Sequence, residues 1–197
     1  VLAVSWVGAV VVPLNTRLAL PEVAYQVHNA GATLLIFDPE FAGLSDILCE
    51  KNLAMRRITL SSTPARPDAL ASDNLIALSQ PGTNANPGPG DLMGIFYTGG
   101  TTGVSKGAML THGAVIDQYV SCIVEGEMAE GDTVLHALPL YHCAQLDVFF
   151  GPAVYVGSTN IITAKPTPDN LLPLMQRFGV TSFFAPPTVW IALLRSQ

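Results

Sequence analysis

The chain has 197 residues, 49% of them apolar and only 12% charged, with nine Lys plus Arg against fifteen Asp plus Glu and a net charge of −6. That length is enough for a domain with a real core, and the acidic balance leaves no basic footprint for nucleic acid. The charged share is about half the usual one, which predicts a surface largely covered by other protein, namely the rest of its own polypeptide.

The opening run from Val1 to Leu14 has a helical apolar pattern. It is too short to span a membrane, is interrupted by Ser5, Gly8 and Pro13, and lacks the charged start and cleavage site of a signal peptide. No transmembrane segment is expected anywhere. Pro21 suits a first helical turn, Val23, Val27 and Ala30 recur at helical spacing, and Gly31 can end that helix. Thr33 to Phe37 reads as a buried strand closed by Asp38-Pro39. A helix from Glu40 to Glu50 and a short strand from Arg57 to Leu60 follow. Residues 61–90 hold five prolines among Ser, Ala and Asn, and read as an irregular connection with one short element near Leu75 to Leu78.

Regular structure resumes with a strand from Met93 to Tyr97 whose partner is Gly107 to Leu110, so that residues 97–107 form a loop between two strands. His112 to about Met128 reads as a long helix with Val115, Tyr119, Cys122 and Ile123 on one side. Then come a strand from Thr133 to Leu138, a helix from Ala144 to Tyr155 despite Pro152, a strand from Asn160 to Thr163, a helix from Pro168 to Phe178, a strand from Thr181 to Ala185 and a helix from Pro187 to Arg195. Helices alternating with strands predict an α/β fold with mostly parallel pairing. The continuously apolar strands predict a sheet covered on both faces.

Cys49, Cys122 and Cys143 are odd in number and widely spaced, with no Cys-x-x-Cys pair. They read as free thiols of a cytoplasmic protein, with no protein metal site. Cys143 adjoins His142, but neighbours in an extended segment point to opposite sides, so a cysteine nucleophile is not expected.

The most informative stretch runs from Ile95 to Gly107, Ile-Phe-Tyr-Thr-Gly-Gly-Thr-Thr-Gly-Val-Ser-Lys-Gly. Its three threonines, four glycines and single lysine follow an apolar lead-in. Glycine lets backbone N–H groups turn inward and approach a ligand, threonine hydroxyls donate to phosphate oxygens, and lysine adds positive charge. These are the parts of a loop that wraps a polyphosphate. A Walker loop needs Gly-Lys followed by Ser or Thr, whereas Lys106 is preceded by Ser105 and followed by Gly107. A Gly-x-Gly-x-x-Gly dinucleotide fingerprint is also absent.

Tyr97 to Gly107 resembles, along its whole length, the phosphate loop of the adenylate-forming (AMP-binding) enzymes, which include the acyl-CoA synthetases, coumarate ligases and luciferases. Gly107-Ala-Met-Leu-Thr-His112 looks most like fatty-acyl-CoA ligases. Leu138-Pro-Leu-Tyr-His-Cys-Ala144 resembles the family's next motif, a Pro-Leu-aromatic-His turn at the acyl pocket, and the segments Gly8 to Asn15 and Gly179 to Pro187 are also similar to family segments.

The resemblance implies that residues 1–197 are part of the large N-terminal domain of such an enzyme. Thr98, Gly99, Gly100, Thr101, Thr102, Gly103 and Lys106 would hold the β- and γ-phosphates of ATP, and His142 would shape the carboxylate end of the acyl site. The activity implied is formation of an acyl-adenylate from a carboxylic acid, fatty by the loop wording, and ATP with Mg2+. Transfer to a thiol such as coenzyme A follows. The adenine- and ribose-binding residues, the hinge and the small C-terminal domain would all follow Gln197. The chain opens on Val1 rather than Met, and the expectation is a fragment inactive by itself. A non-catalytic nucleotide-binding module, or a phosphotransferase using the same loop, is the alternative.

Overall fold

The computed structural model describes residues 1–50, 54–99 and 104–196. They gather into two compact units, one of residues 1–87 with 92–110 and the other of residues 88–91 with 111–197.

In the first unit a short helix α1 (Leu2–Trp6) leads into a segment that runs beside a later strand, with Val11 N–H donating to Met93 O at 3.0 Å and Ile95 N–H to Val11 O at 2.9 Å. Helix α2 (Leu20–Asn29) starts where Pro21 predicts, its Ala19 N–H taken by the Glu22 carboxylate at 3.2 Å. Then follow β1 (Leu34–Phe37), a 3-10 turn (Pro39–Phe41), α3 (Ala42–Glu50), β2 (Arg56–Thr59), β3 (Ala69–Ala71) and α4 (Ser72–Leu78). The strands β1, β2 and β3 form one parallel sheet in that order, with Ile36 beside Ile58 and Ile58 beside Leu70. One face closes over a core of Val23, Val27, Leu35, Phe37, Leu48, Cys49 and Met55. The other face is open: Leu34, Ile36 and Leu70 are 41%, 45% and 55% exposed. Within this chain the described residues cover one face of the sheet only.

Residues 61–90 are also more ordered than their prolines suggest. Ala69-Leu-Ala71 is too short to show a period, and pairing with β2 makes it a strand. Beside it lies an ionic knot. The buried Arg57 guanidinium meets the Asp46 carboxylate at 2.7 Å, Asp68 through Nε at 3.1 Å and through Nη2, and Ser45 Oγ at 3.2 Å. Arg66 adds a second bond to Asp46 at 2.6 Å. A buried cation demands such pairing, and the bond from Arg57 holds the Asp68 carboxyl below its usual range.

The first unit ends with β4 (Leu92–Thr98) and its strand neighbour β5 (Lys106–Thr111).

In the second unit, Thr111 caps α5 (His112–Glu125) by accepting from Ala114 N–H at 3.3 Å. The helix stops three residues short of Met128, because Gly126 and Glu127, at φ +49, turn the chain away. Val115 and Tyr119 face the core, whereas Ile116, Val120 and Val124 are exposed. Strands β6 (Thr133–His136), β7 (Thr159–Ile162) and β8 (Ser182–Phe183) form a parallel sheet in the order β7-β6-β8. Leu135, Ala137, Leu171 and Leu193 build the core between this sheet and helices α7 (Pro168–Phe178) and α8 (Pro187–Arg195). Gly179, at φ +59, closes α7.

The helix expected over Ala144 to Tyr155 is two elements, a π-helix (Ala144–Phe150) and α6 (Gly151–Val156). Pro152 lies in the first turn of α6, where its missing N–H costs least. Among the described residues no helix is long and apolar enough to cross a membrane, and the three cysteines are free.

Candidate functional site

Of the residues singled out for phosphate binding, Gly100, Thr101, Thr102 and Gly103 lie outside the described residues. Thr98, Gly99 and Lys106 are described and belong to the first unit, whereas His142 belongs to the second.

Strand β4 is apolar where it passes through the unit, with Met93, Gly94 and Phe96 buried, and becomes exposed at Thr98 and Gly99. Lys106 opens β5 beside it. Thr98 Oγ1 donates to Lys106 O at 3.4 Å, so the loop starts and ends at one place. The Lys106 side chain is exposed and has no ion-pair partner among the described residues. It is a cation without an ionic partner among the described residues, placed where β5 begins.

The glycines divide in an unexpected way. A Cβ on Gly107 would stand 2.6 Å from Ile95 Cγ2 and 3.2 Å from Tyr97 Cζ, so bare backbone is required where the two strands press together. A Cβ on Gly99 meets nothing within 4 Å among the described residues. Gly107 is therefore no ordinary turn glycine.

In the second unit β6 runs into Ala137 to Tyr141 and a turn at His142, whose N–H donates to Pro139 O at 3.1 Å. The His142 ring is exposed, and its Nδ1 accepts the Ala144 N–H at 3.2 Å. That bond leaves the ring proton on Nε2. Cys143 Sγ lies 3.9 Å from the same Nδ1. The two side chains thus do come together, contrary to expectation, because this segment is turned rather than extended. With Nδ1 occupied by a backbone donor, the ring is not a base for the thiol.

A second histidine carries the geometry of this turn and was not singled out from sequence. His136, wholly buried at the end of β6, bonds through Nε2 to Asn160 Oδ1 at 2.7 Å and through Nδ1 to Gln145 Nε2 at 2.7 Å. Burial lowers its basicity, and a neutral ring with its proton on Nε2 satisfies both partners. The Phe150 ring stands edge-on to it at 5.4 Å. His136 thereby ties the π-helix, which starts two residues after His142, to the sheet. Its place as the one ionisable side chain of β6 was the available signal. Phe149 stacks on Phe184 at 4.2 Å and belongs to the same packing.

The π-helix also buries Asp147, 1% exposed, with neither carboxylate oxygen hydrogen-bonded among the described residues. Burial pushes its pKa up to about 6, and the nearby Tyr119 hydroxyl is pushed up to about 12 by its own burial. An aspartate whose pKa is raised on folding stabilises the fold below its unfolded value, and that contribution is lost as pH rises through about 6. The charged form then costs on the order of 3 kcal/mol at neutral pH. Asp147→Asn is expected to remove this dependence, so that thermal unfolding followed at about pH 5 and about pH 8 shifts in the parent and not in the variant. Equal shifts in both would assign the titration elsewhere.

Among the described residues no three His, Cys, Asp or Glu side chains gather to hold a metal ion. The hydroxyls and ammonium of the first unit suit phosphate oxygens.

A family model for AMP-binding enzymes matches residues 1–197. The chain is 34% identical over 186 residues to a feruloyl-CoA synthase of Amycolatopsis, covering 94% of the chain and 35% of that protein. It is 29% identical over 194 residues to a long-chain-fatty-acid–CoA ligase of Thermus thermophilus, covering 97% and 35%. The ATP-bound structure of MatB from Rhodopseudomonas palustris superposes with a TM-score of 0.80 at 29% identity, over 99% of the chain and 38% of MatB. The chain thus spans roughly a third of the length of these relatives.

Proposed function

Because the chain belongs to the AMP-binding enzyme family, matched along its whole length, we propose that the polypeptide carrying it activates a carboxylic acid with ATP and passes the acyl group to a thiol such as coenzyme A. The first step joins the carboxylate oxygen to the α-phosphorus of ATP and breaks the bond to pyrophosphate. The carboxylate is already ionised at neutral pH, so no general base is needed. The obstacle is the approach of an anion to a polyanion, and fixed donors aimed at the phosphate oxygens lower it. In this reading Thr98, Gly99, Gly100, Thr101, Thr102 and Gly103 supply hydroxyl and backbone donors, and Lys106 supplies the charge. Magnesium arriving on the nucleotide would neutralise phosphate charge, as it does in sites that bind it through few carboxylates. His142 is assigned to the carboxylate end of the acyl site.

The observation that carries this reading is that Lys106, exposed and without an ionic partner among the described residues, lies beside the exposed Thr98 and Gly99, with Thr98 bonded to its carbonyl. We assign a fatty acid as substrate from the wording of residues 107–112. The 34% identity to a feruloyl-CoA synthase favours an aromatic acid as the second reading. Acid-dependent exchange of pyrophosphate into ATP, run across aliphatic and aromatic acids, tests both. Exchange that peaks with an aliphatic acid is expected. A peak with an aromatic acid selects the second reading, and no exchange with any acid rejects the reaction.

A further inference from the structure

Helix α2 carries a buried polar side chain to which the proposed function gives no role. Gln26 is 2% exposed, and its neighbours Val23 and Val27 serve the apolar core. A buried amide needs a partner. Its Nε2 lies 3.4 Å from Ser105 Oγ, on the residue before Lys106. One turn further on, Asn29 Oδ1 accepts the Tyr97 hydroxyl at 2.6 Å. The Tyr25 ring stands edge-on to the Tyr97 ring, centroids 6.4 Å apart. Residues 25, 26 and 29 lie within one helical turn of each other on neighbouring faces. Tyr97 and Ser105 flank the Thr/Gly-rich bend, one before it and one after.

We propose that α2 is a positioning element for the phosphate loop, with Gln26 fixing the Ser105 flank and Tyr25 and Asn29 fixing the Tyr97 flank. None of the three belongs to the residues assigned to the nucleotide. They act through the backbone that carries Thr98 and Lys106, holding both ends of the bend against one rigid helix. A preset loop spends less of its binding energy on ordering itself around a polyphosphate. The inference rests on the proposed function for its kinetic consequence and on geometry alone for its structural one.

The test uses the polypeptide that carries this chain. Gln26→Leu keeps volume and removes the donor; Asn29→Leu removes the acceptor, Asn29→Asp keeps it, and Tyr97→Phe deletes the same bond from the other side. The leucine variants and Tyr97→Phe are expected to raise the KM for ATP about five- to tenfold, as loss of one hydrogen bond allows, with the KM for the acid unchanged. Asn29→Asp is expected to restore the ATP value. Amide hydrogen exchange at Thr98, Gly99, Ser105 and Lys106 should quicken in the same variants without a fall in unfolding midpoint. Two KM values that rise together, or an unmoved ATP KM with unmoved amides, overturn the positioning role while the reaction stands. If the parent shows no acid-dependent exchange, the reaction is what fails, and the amide measurement alone decides whether α2 sets the loop.

Discussion

Lys106→Ala is expected to slow acyl-adenylate formation by about tenfold to a hundredfold, read as acid-dependent pyrophosphate exchange in the polypeptide that carries this chain. A charge-assisted hydrogen bond contributes roughly 1.5–3 kcal/mol, and each 1.36 kcal/mol is about tenfold in rate. The lysine side chain is exposed and pairs with no carboxylate among the described residues. Its removal therefore orphans nothing, and the unfolding midpoint should not move. Lys106→Arg should recover part of the rate, since charge is kept while reach and shape differ. Parental exchange in the alanine variant would take the lysine out of phosphate binding.

Gly151→Ala should cost the second unit about 1–3 kcal/mol, the usual range for overpacking a filled core. The new Cβ would stand 2.7 Å from Tyr119 Cε1 and closer still to Cζ and Oη. Tyr119 is buried, and its ring meets the Tyr155 ring edge-on at 6.4 Å, so it has little room to retreat. Alanine is the better helix former by roughly 1 kcal/mol, and that gain opposes the clash without cancelling it. A lowered midpoint in thermal or urea unfolding checks the prediction, and shortening the neighbour in the double variant Gly151→Ala/Tyr119→Leu should return part of the loss. An unchanged midpoint in the single variant would mean that the tyrosine moves freely.

Helices announced by a proline in their first turn were legible in the sequence, and α7 and α8 have the limits read from Pro168 and Pro187. The strand–loop–strand form of the bend was legible because an apolar run precedes it and another follows. What escaped depends on contacts between distant residues. Strand β3 exists through pairing with β2. Which face of the first sheet packs on the core of this chain was not legible, because Leu34 and Ile36 are as apolar as Leu35 and Phe37. The π-helix and the bonds of His136 arise from a network joining residues 136, 145 and 160, which no local period records. The closeness of Cys143 to His142 required knowing that the backbone turns there. Of the phosphate-binding residues proposed from sequence, Thr98, Gly99 and Lys106 are placed at the ends of the bend.

The paired guanidinium of Arg57 has a consequence for how the molecule tolerates acid. Asp68 carries a depressed pKa, so the attraction it lends the first unit is fully present above the unfolded value and is lost once pH falls through the folded one. Asp147 has the opposite sign, and its unit is relieved rather than strained by protonation. The two effects fall in different ranges: protonation of Asp147 sets in near pH 6, whereas the attraction at Asp68 persists until pH drops below the ordinary carboxylate range, so mild acid firms the surroundings of Asp147 before strong acid undoes the Arg57 cluster.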